Sequence, residues 1–485
     1  KYFFNNFNLK IPDEYSMNNF NNILNLFEDL KGKVYSLRKV EEILDEIDKI
    51  ALTKEFEFIN AKYNETLDGN KLNLEIILEE SDKYYVEKIN IFGNFITDEK
   101  VIRNSLIVDE GDAYNDILIN KSINEIQARQ IFKSVTKNIK EGSNPKYKVI
   151  DITVEERPTG ELTAGAGTGT SGSTVFFGIK EKNFTGAGVK VAANLSLSDD
   201  GLRGLFSIDN PNFNNSDRSL RTSVESTSND KMSKFGYKSS KTGLSLGTTY
   251  EQFRDIYFSP SASLYYESIE TSSSATAARK KQEGNYLDAN FSYGLILNKL
   301  NRNFQPTDGY KSVFFQTLPI YSEDFTLTNQ YEFSKYFSLK DDYIFSLGVF
   351  VKSVNSISGD DVRASKRIFL PSNKMRGFEI GKIGPLDSGD FIGGNFGSTV
   401  NFATTMPKLF PQLQNLDFSI FLDAGNVWGV DYNSSLDNSK IRTATGLAVD
   451  WFTPIGPLSF SFAKPISKSG SDITETFRFN IGTTF

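Results

Sequence analysis

The chain has 485 residues, with 54 Lys and Arg against 61 Asp and Glu, a formal net charge of -7, and neither cysteine nor histidine. The acidic balance argues against nucleic acid as a partner. The missing residue types exclude disulfides, thiolate metal sites, thiol catalysis and catalysis by the commonest general base.

Hydrophobic residues make up only 39% of the chain, yet aromatics reach 13%. The apolar content is therefore dispersed and β-prone. No run of about 18 apolar residues occurs, so a transmembrane helix is excluded. A transmembrane barrel is not, because its strands need only about 10 alternating residues each. The chain opens on Lys1-Tyr2-Phe3-Phe4, without a signal peptide, and is expected to be a processed or truncated piece of a longer protein.

In chain order, residues 16–31 read as a helix with Met17, Phe20, Leu24, Phe27 and Leu30 on one face, stopped by Gly32. Ser36 is expected to cap a second helix carrying Val40, Ile43, Leu44, Ile47 and Ile50. Strands follow at Phe56–Tyr63 and Lys71–Leu78, joined by a turn at Asp68-Gly69. Residues 84–156 repeat this order. A strand at Val86–Phe92 leads to Gly93-Asn94, then to helices near Asp98–Leu106 and Asn115–Phe132. Strands at Val135–Ile139 and Lys148–Glu155 close the unit. The repeat period is roughly 75 residues, which predicts two similar α+β modules displaying sheet edges.

After Arg157-Pro158-Thr159-Gly160 the helical pattern stops. Sixteen strands are predicted, from 160–168 through 390–404 and 414–424 to 474–485, an even number of the kind that outer-membrane barrels use. In the last of them Phe477, Phe479, Ile481 and Phe485 share one parity and Arg478, Asn480, Gly482 and Thr484 the other. That pattern suits lipid on one side and a polar lumen on the other, or the terminal strand of a sandwich. The pairs Tyr257-Phe258, Tyr265-Tyr266 and Tyr336-Phe337 are expected at interfacial girdles. Residues 356–389 form one long connection holding Arg367, Lys374, Arg376 and seven glycine or proline residues. A connection of this length and mixed content is expected to be functional and to fold back into the barrel.

Some motifs invite other readings. Gly165–Gly172 looks like a phosphate loop, but no lysine or helix follows. Asp431, Asn433 and Asp437 loosely mimic a calcium loop without its glycine and glutamate, and read as solvated. Asp341-Asp342 and Asp360-Asp361 read as solvated turn acids. No catalytic triad or carboxylate dyad stands out, so no enzyme, cofactor or metal site is expected.

Met375-Arg376-Gly377-Phe378, followed by Ile383-Gly384-Pro385 and Gly393-Gly394-Asn395, resembles the sixth-loop signature of the BamA family of outer-membrane protein assembly factors, within the superfamily of POTRA-bearing barrel insertases. Phe421–Trp428, Thr453–Leu458, the terminal Phe477–Phe485, Tyr84–Ile89 with Gly93-Asn94, and the Arg157–Gly160 link match the family as well. The resemblance covers nearly the whole chain. It implies α+β POTRA domains at 1–80 and 81–156, the fourth and fifth of the family's five, and then an all-β transmembrane barrel at 157–485. That barrel would have 16 antiparallel strands and a long inward-folded sixth extracellular loop.

The same resemblance implies a location in the bacterial outer membrane, with the POTRA domains in the periplasm. The implied activity is insertion of client barrel proteins without ATP. The implied partners are unfolded outer-membrane proteins, BamD and other assembly-machinery lipoproteins, periplasmic chaperones and the lipid bilayer. Arg376 is implied to pair with Asp423 and latch the loop, with Gly377 permitting the turn and Phe378 packing beside it. A family glutamate on strand 12 is replaced here by Ala403, which is expected to throw the latch onto Asp423. The first strand, with Gly160, Gly165, Gly167 and Gly169, and the last, with Gly482 at the family's kink position and Phe485 at its end, are implied to form a lateral gate. Glu110 matches a position used to dock BamD; read alone, it is a solvated turn acid. TamA-like factors and two-partner secretion pores are the rival families.

Overall fold

The structure, a computed structural model, describes residues 2–481 except 34, 36–38, 41–42, 45, 48–49, 51–58, 81–83, 171, 217, 233–235, 254, 274, 302–304, 339–342, 408, 410–414, 438 and 454–455. The expectations for Ser36, Phe56–Phe58, Asp341, Asp342, Pro454, Ile455, Gly482 and Phe485 fall outside the described residues. The chain divides into two units, Lys1–Thr159 with Lys182–Val189, and Gly160–Glu181 with Lys190–Phe485.

The first unit holds two three-stranded sheets of the same design. Strands β1 (Phe3–Lys10), β2 (Ile59–Asp68) and β3 (Lys71–Glu80) lie in the order β1-β3-β2, with β1 parallel and β2 antiparallel to β3. Strands β4 (Tyr85–Phe92), β5 (Phe132–Glu141) and β6 (Tyr147–Glu156) repeat this as β4-β6-β5. Helix α1 (Asn21–Leu30) covers the first sheet, and α2 (Glu99–Arg103) and α3 (Asp116–Ala128) the second.

The buried face of α1 differs from the expected one. Ile23 joins Phe20, Phe27 and Leu30 in the core, while Met17 is exposed and Leu24 only partly buried. Met17–Phe20 form a 3₁₀ turn, and its tighter winding rotates the apolar stripe before the α-helix begins. Gly32 ends the helix at φ +79°, and Asn115 caps α3 by accepting from the N–H groups of Ile117 and Leu118.

The second unit is a closed antiparallel barrel. Its first strands are β7 (Gly160–Gly169), β8 (Gly172–Phe184), β9 (Val189–Ser198), β10 (Gly201–Asn210), β11 (Leu220–Lys231), β12 (Tyr237–Gly247), β13 (Tyr250–Phe253) and β14 (Ile256–Thr271). There follow β15 (Gly284–Asn298), β16 (Gly309–Tyr321), β17 (Thr326–Ser338) and β18 (Ile344–Ser356), then the short hairpin β19 (Leu386–Asp387) and β20 (Asp390–Phe391). The ring is completed by β21 (Phe396–Met406), β22 (Leu416–Trp428), β23 (Arg442–Thr453), β24 (Gly456–Ser467) and β25 (Phe477–Ile481). Because β12 and β13 are successive pieces on the same side of β14, the ring has sixteen strands.

The barrel's polarity is inverted relative to a water-soluble core. On β22, Ile420 and Leu422 are exposed while Ser419, Phe421 and Asp423 are buried. On β8, Val175, Phe177 and Ile179 are exposed in the same alternation. Phe477 of the last strand is exposed beside Phe462 of β24, with ring centroids 4.8 Å apart. One member of each aromatic pair expected at a girdle faces outward. Tyr257, Tyr266 and Phe337 are exposed, whereas Phe258, Tyr265 and Tyr336 are not, because successive strand residues face opposite ways.

The strand expected at 390–404 starts only at Phe396. Residues 390–391 instead pair back onto β19. Gly394 lies so close to Trp428 that a Cβ there would sit 2.4 Å from its carbonyl oxygen.

Candidate functional site: a latched connection beside a narrow seam

Residues 357–395 join β18 to β21, and Arg363, Met375 and Phe378 of this connection are buried against barrel strands. Arg376 donates from Nε and Nη2 to the two carboxylate oxygens of Asp423, each at 2.7 Å, and its backbone N–H reaches Oδ2 at 3.1 Å. The pair is bidentate, and the Asp423 side chain is fully buried. The guanidinium carbon lies 3.4 Å from the ring centroid of Phe421, two residues away on the same face. Gly377 has φ +85°, and a Cβ there would sit 2.9 Å from that of Ala444. Phe378 is buried with Phe350, Met375, Ile383 and Val427.

Ala403 faces Phe421 across the β21–β22 register and packs against its cluster. Asn401, which sequence reasoning missed, stands opposite Asp423. Its amide donates to Asp423 Oδ1 at 2.8 Å and to the Lys374 carbonyl at 2.7 Å. The Arg376–Asp423 pair is thus braced by a neutral amide. The legible signal was that Asn401 lies two residues before Ala403 and therefore on the same strand face.

Two further fastenings were not legible. Arg363 is buried, and donates to Asp324 at 2.8 Å, Glu267 at 3.1 Å and both oxygens of Asp288 at 2.7 and 2.6 Å. Arg367 pairs with Asp431, which also accepts from the Val362 N–H at 2.6 Å and from Asn395. Asp431 thus lies in an exposed loop, as expected from its neighbours, but its carboxylate is paired and only 20% exposed. Burial pushes its carboxyl up, but the Val362 N–H, the Arg367 charge and the Asn395 amide outweigh this and hold it below the usual aspartate value.

The last strand is tied to the same connection. Arg478 of β25 donates to the carbonyls of Ser372 at 2.5 Å and Phe378 at 2.6 Å, and pairs with Glu475. A short backbone ladder runs alongside: the N–H of Glu379 donates to Ile473 O, that of Ile473 to Lys382 O, and that of Glu475 to Gly377 O. Arg478→Gln is expected to remove about 2–3 kcal/mol of charge-assisted bonding. It should lower the heating midpoint at which the folded barrel loses its faster gel migration; an unchanged midpoint would show that this tie carries no stability.

The first and last strands meet directly. β7 pairs with β8 from Gly160↔Glu181 to Gly169↔Gly172, with every residue in register. Against β25, among the described residues, β7 registers only at Gly169↔Asn480 and Thr168↔Ile481, with the Thr170 N–H donating to Phe479 O at 3.2 Å. Gly165 lies beneath the Phe176 ring, 2.4 Å from where its Cβ would be, so a side chain there would force that cross-strand ring to move. Gly160 has room. The phosphate-loop mimic spans the end of β7 and the start of β8, which pair at Gly169↔Gly172. Inside this seam lies a cavity of about 710 Å³ lined by Ser173, Asp199, Arg376, Asp450, Arg478 and Asn480.

In the first unit, Glu110 accepts from the Ile89 N–H at 3.0 Å and lies 3.7 Å from Arg103. It braces its own module while its side chain stays 44% exposed.

A sixteen-stranded antiparallel barrel, apolar outside and ion-paired within, defines the outer-membrane class of barrel. Residues 183–485 match the Omp85 superfamily domain, and the chain belongs to that superfamily. Residues 84–157 match the POTRA family, described as a surface antigen variable number repeat.

The outer membrane protein assembly factor BamA of Neorickettsia risticii is 26% identical over 94% of this chain and 62% of its own length. That of Neisseria meningitidis serogroup B is 24% identical over 94% of this chain and 63% of its own. The chain thus spans under two thirds of the length of these relatives. The crystal structure of BamA from Haemophilus ducreyi lacking POTRA domains 1–3 superposes with a TM-score of 0.75 at 22% identity, covering 100% of both chains.

Proposed function

We propose that the chain is the membrane-inserted part of an outer-membrane protein insertase, the central subunit of a β-barrel assembly machinery. In this reading residues 1–80 and 81–156 are the fourth and fifth POTRA domains, facing the periplasm, and 157–485 is the barrel. Unfolded outer-membrane proteins add strand by strand at the seam between β7 and β25, without ATP.

The observation that carries this reading is the direct pairing of the first and last strands, at Gly169↔Asn480 and Thr168↔Ile481 among the described residues. Its opening would leave backbone N–H and C=O groups that lipid cannot satisfy and an incoming strand can. The connection 357–395 acts as the inward-folded sixth extracellular loop. Arg376, Gly377, Phe378 and Asp423 hold it, and Arg478 links its position to the seam strand. Gly160, Gly165, Gly167, Gly482 and Phe485 belong to the gate. Glu110, half exposed, docks BamD. Other assembly lipoproteins and periplasmic chaperones complete the partners.

The test is reconstitution. Vesicles containing this protein, given a urea-unfolded barrel client and no nucleotide, should raise the folded, heat-modifiable fraction several-fold over protein-free vesicles. Equal folding in both would contradict the proposal.

A further inference from the structure

We propose that Phe95 and Ile96 of the second module, with Phe184 at the end of β8, form an apolar prong that inserts into the headgroup boundary of the bilayer and tethers the module to the membrane surface. This rests on the membrane-barrel reading above and assigns the module a lipid contact of its own.

Phe95 is 93% exposed, Ile96 71% and Phe184 51%, all within the first unit. Such side chains usually mark a contact when they cluster on a fixed scaffold, and this scaffold is fixed. The Glu156 carboxylate accepts from the N–H groups of Ile96 at 3.0 Å and Thr97 at 2.7 Å. The Asn94 amide donates to Thr97 O. The two loops are also joined. The Asp98 N–H donates to Gly186 O at 2.9 Å, and the Asn183 amide to Thr97 Oγ1 at 2.8 Å. Gly186, at φ +78°, lies so close that a Cβ would sit 2.1 Å from Ile96 O. Burial opposes ionisation of Glu156, but the Thr97, Ile96 and Phe95 donors win and hold its carboxyl below the usual value.

Chain continuity and charge favour lipid as the occupant. Phe184 is the last residue of β8, on which Val175, Phe177 and Ile179 are exposed. Beside the prong, Lys182 and Arg157 both bond to Gln130. Cations flanking an apolar tip are the arrangement that suits a lipid interface.

The chain has no cysteine, so single nitroxide labels can be placed cleanly. Phe95→Cys and Ile96→Cys would be labelled separately in the whole chain, in vesicles of phosphatidylethanolamine and phosphatidylglycerol. Leu447→Cys on the barrel exterior and Lys146→Cys on an exposed turn of the module serve as references. Positions 95 and 96 are expected to favour oxygen over a water-soluble nickel relaxant, severalfold more than position 146 and approaching position 447. Nickel access equal to that at position 146, with 447 lipid-exposed, overturns the prong and leaves the barrel reading standing. Water access at 447 overturns both. Shielding of 95 and 96 only when an unfolded client is added identifies a polypeptide site and overturns the lipid contact.

Discussion

Arg376→Ala is expected to release the middle of the connection from the barrel wall and to cut client insertion sharply. The replacement strands Asp423, whose side chain is fully buried. Removing one partner of such a pair costs about 3–5 kcal/mol, because the remaining charge cannot be hydrated. Asn401 still donates one bond to Asp423, which offsets part of that cost.

Asp423→Asn should be milder. The cation it leaves behind is 19% exposed and keeps the Phe421 face. Arg376→Ala combined with Asp423→Ala should cost less than the sum of the two single changes, since no charge is left unpaired. The release is also confined. Arg363, Lys366 and Arg367 remain bound to Asp288, Asp324 and Asp431. Trypsin should therefore cut after Lys374 and Lys382 while Lys366 stays protected. Unchanged protection at all three sites, with normal client folding, would sink the latch.

The barrel strands were legible because alternation leaves a two-residue signature that lipid and lumen both enforce. The expected 160–168 is observed as Gly160–Gly169, and 256–270 as Ile256–Thr271. The Arg376–Asp423 pairing was legible through Arg376-Gly377-Phe378 and its resemblance. Other features depended on contacts that no local pattern encodes. Arg363 meets Asp288 across a sequence separation of 75 residues, and only barrel closure and the return of the connection bring them together. Asp431 looked solvated because its neighbours are polar, yet its partner lies in another segment. Arg478 was recognisable as the polar face of the terminal strand, but not as a donor to Ser372 and Phe378. The α1 face was misplaced because periodicity does not distinguish a 3₁₀ turn from an α turn.

Locking the seam is expected to abolish insertion. In an antiparallel pair, residues next to a hydrogen-bonded pair are themselves non-hydrogen-bonded, with Cα atoms about 4.5 Å apart. The Thr170 N–H bonds to Phe479 O, so Gly169 and Asn480 form such a close pair, within reach of a disulfide. No other cysteine competes. The decisive measurement is client folding in vesicles by the protein carrying Gly169→Cys and Asn480→Cys, compared before oxidation, after oxidation and after reduction. If clients enter through this seam, the oxidised protein folds no more client than protein-free vesicles do, reduction restores activity, and each single substitution stays active. Undiminished client folding with the cross-link fully formed would contradict the account.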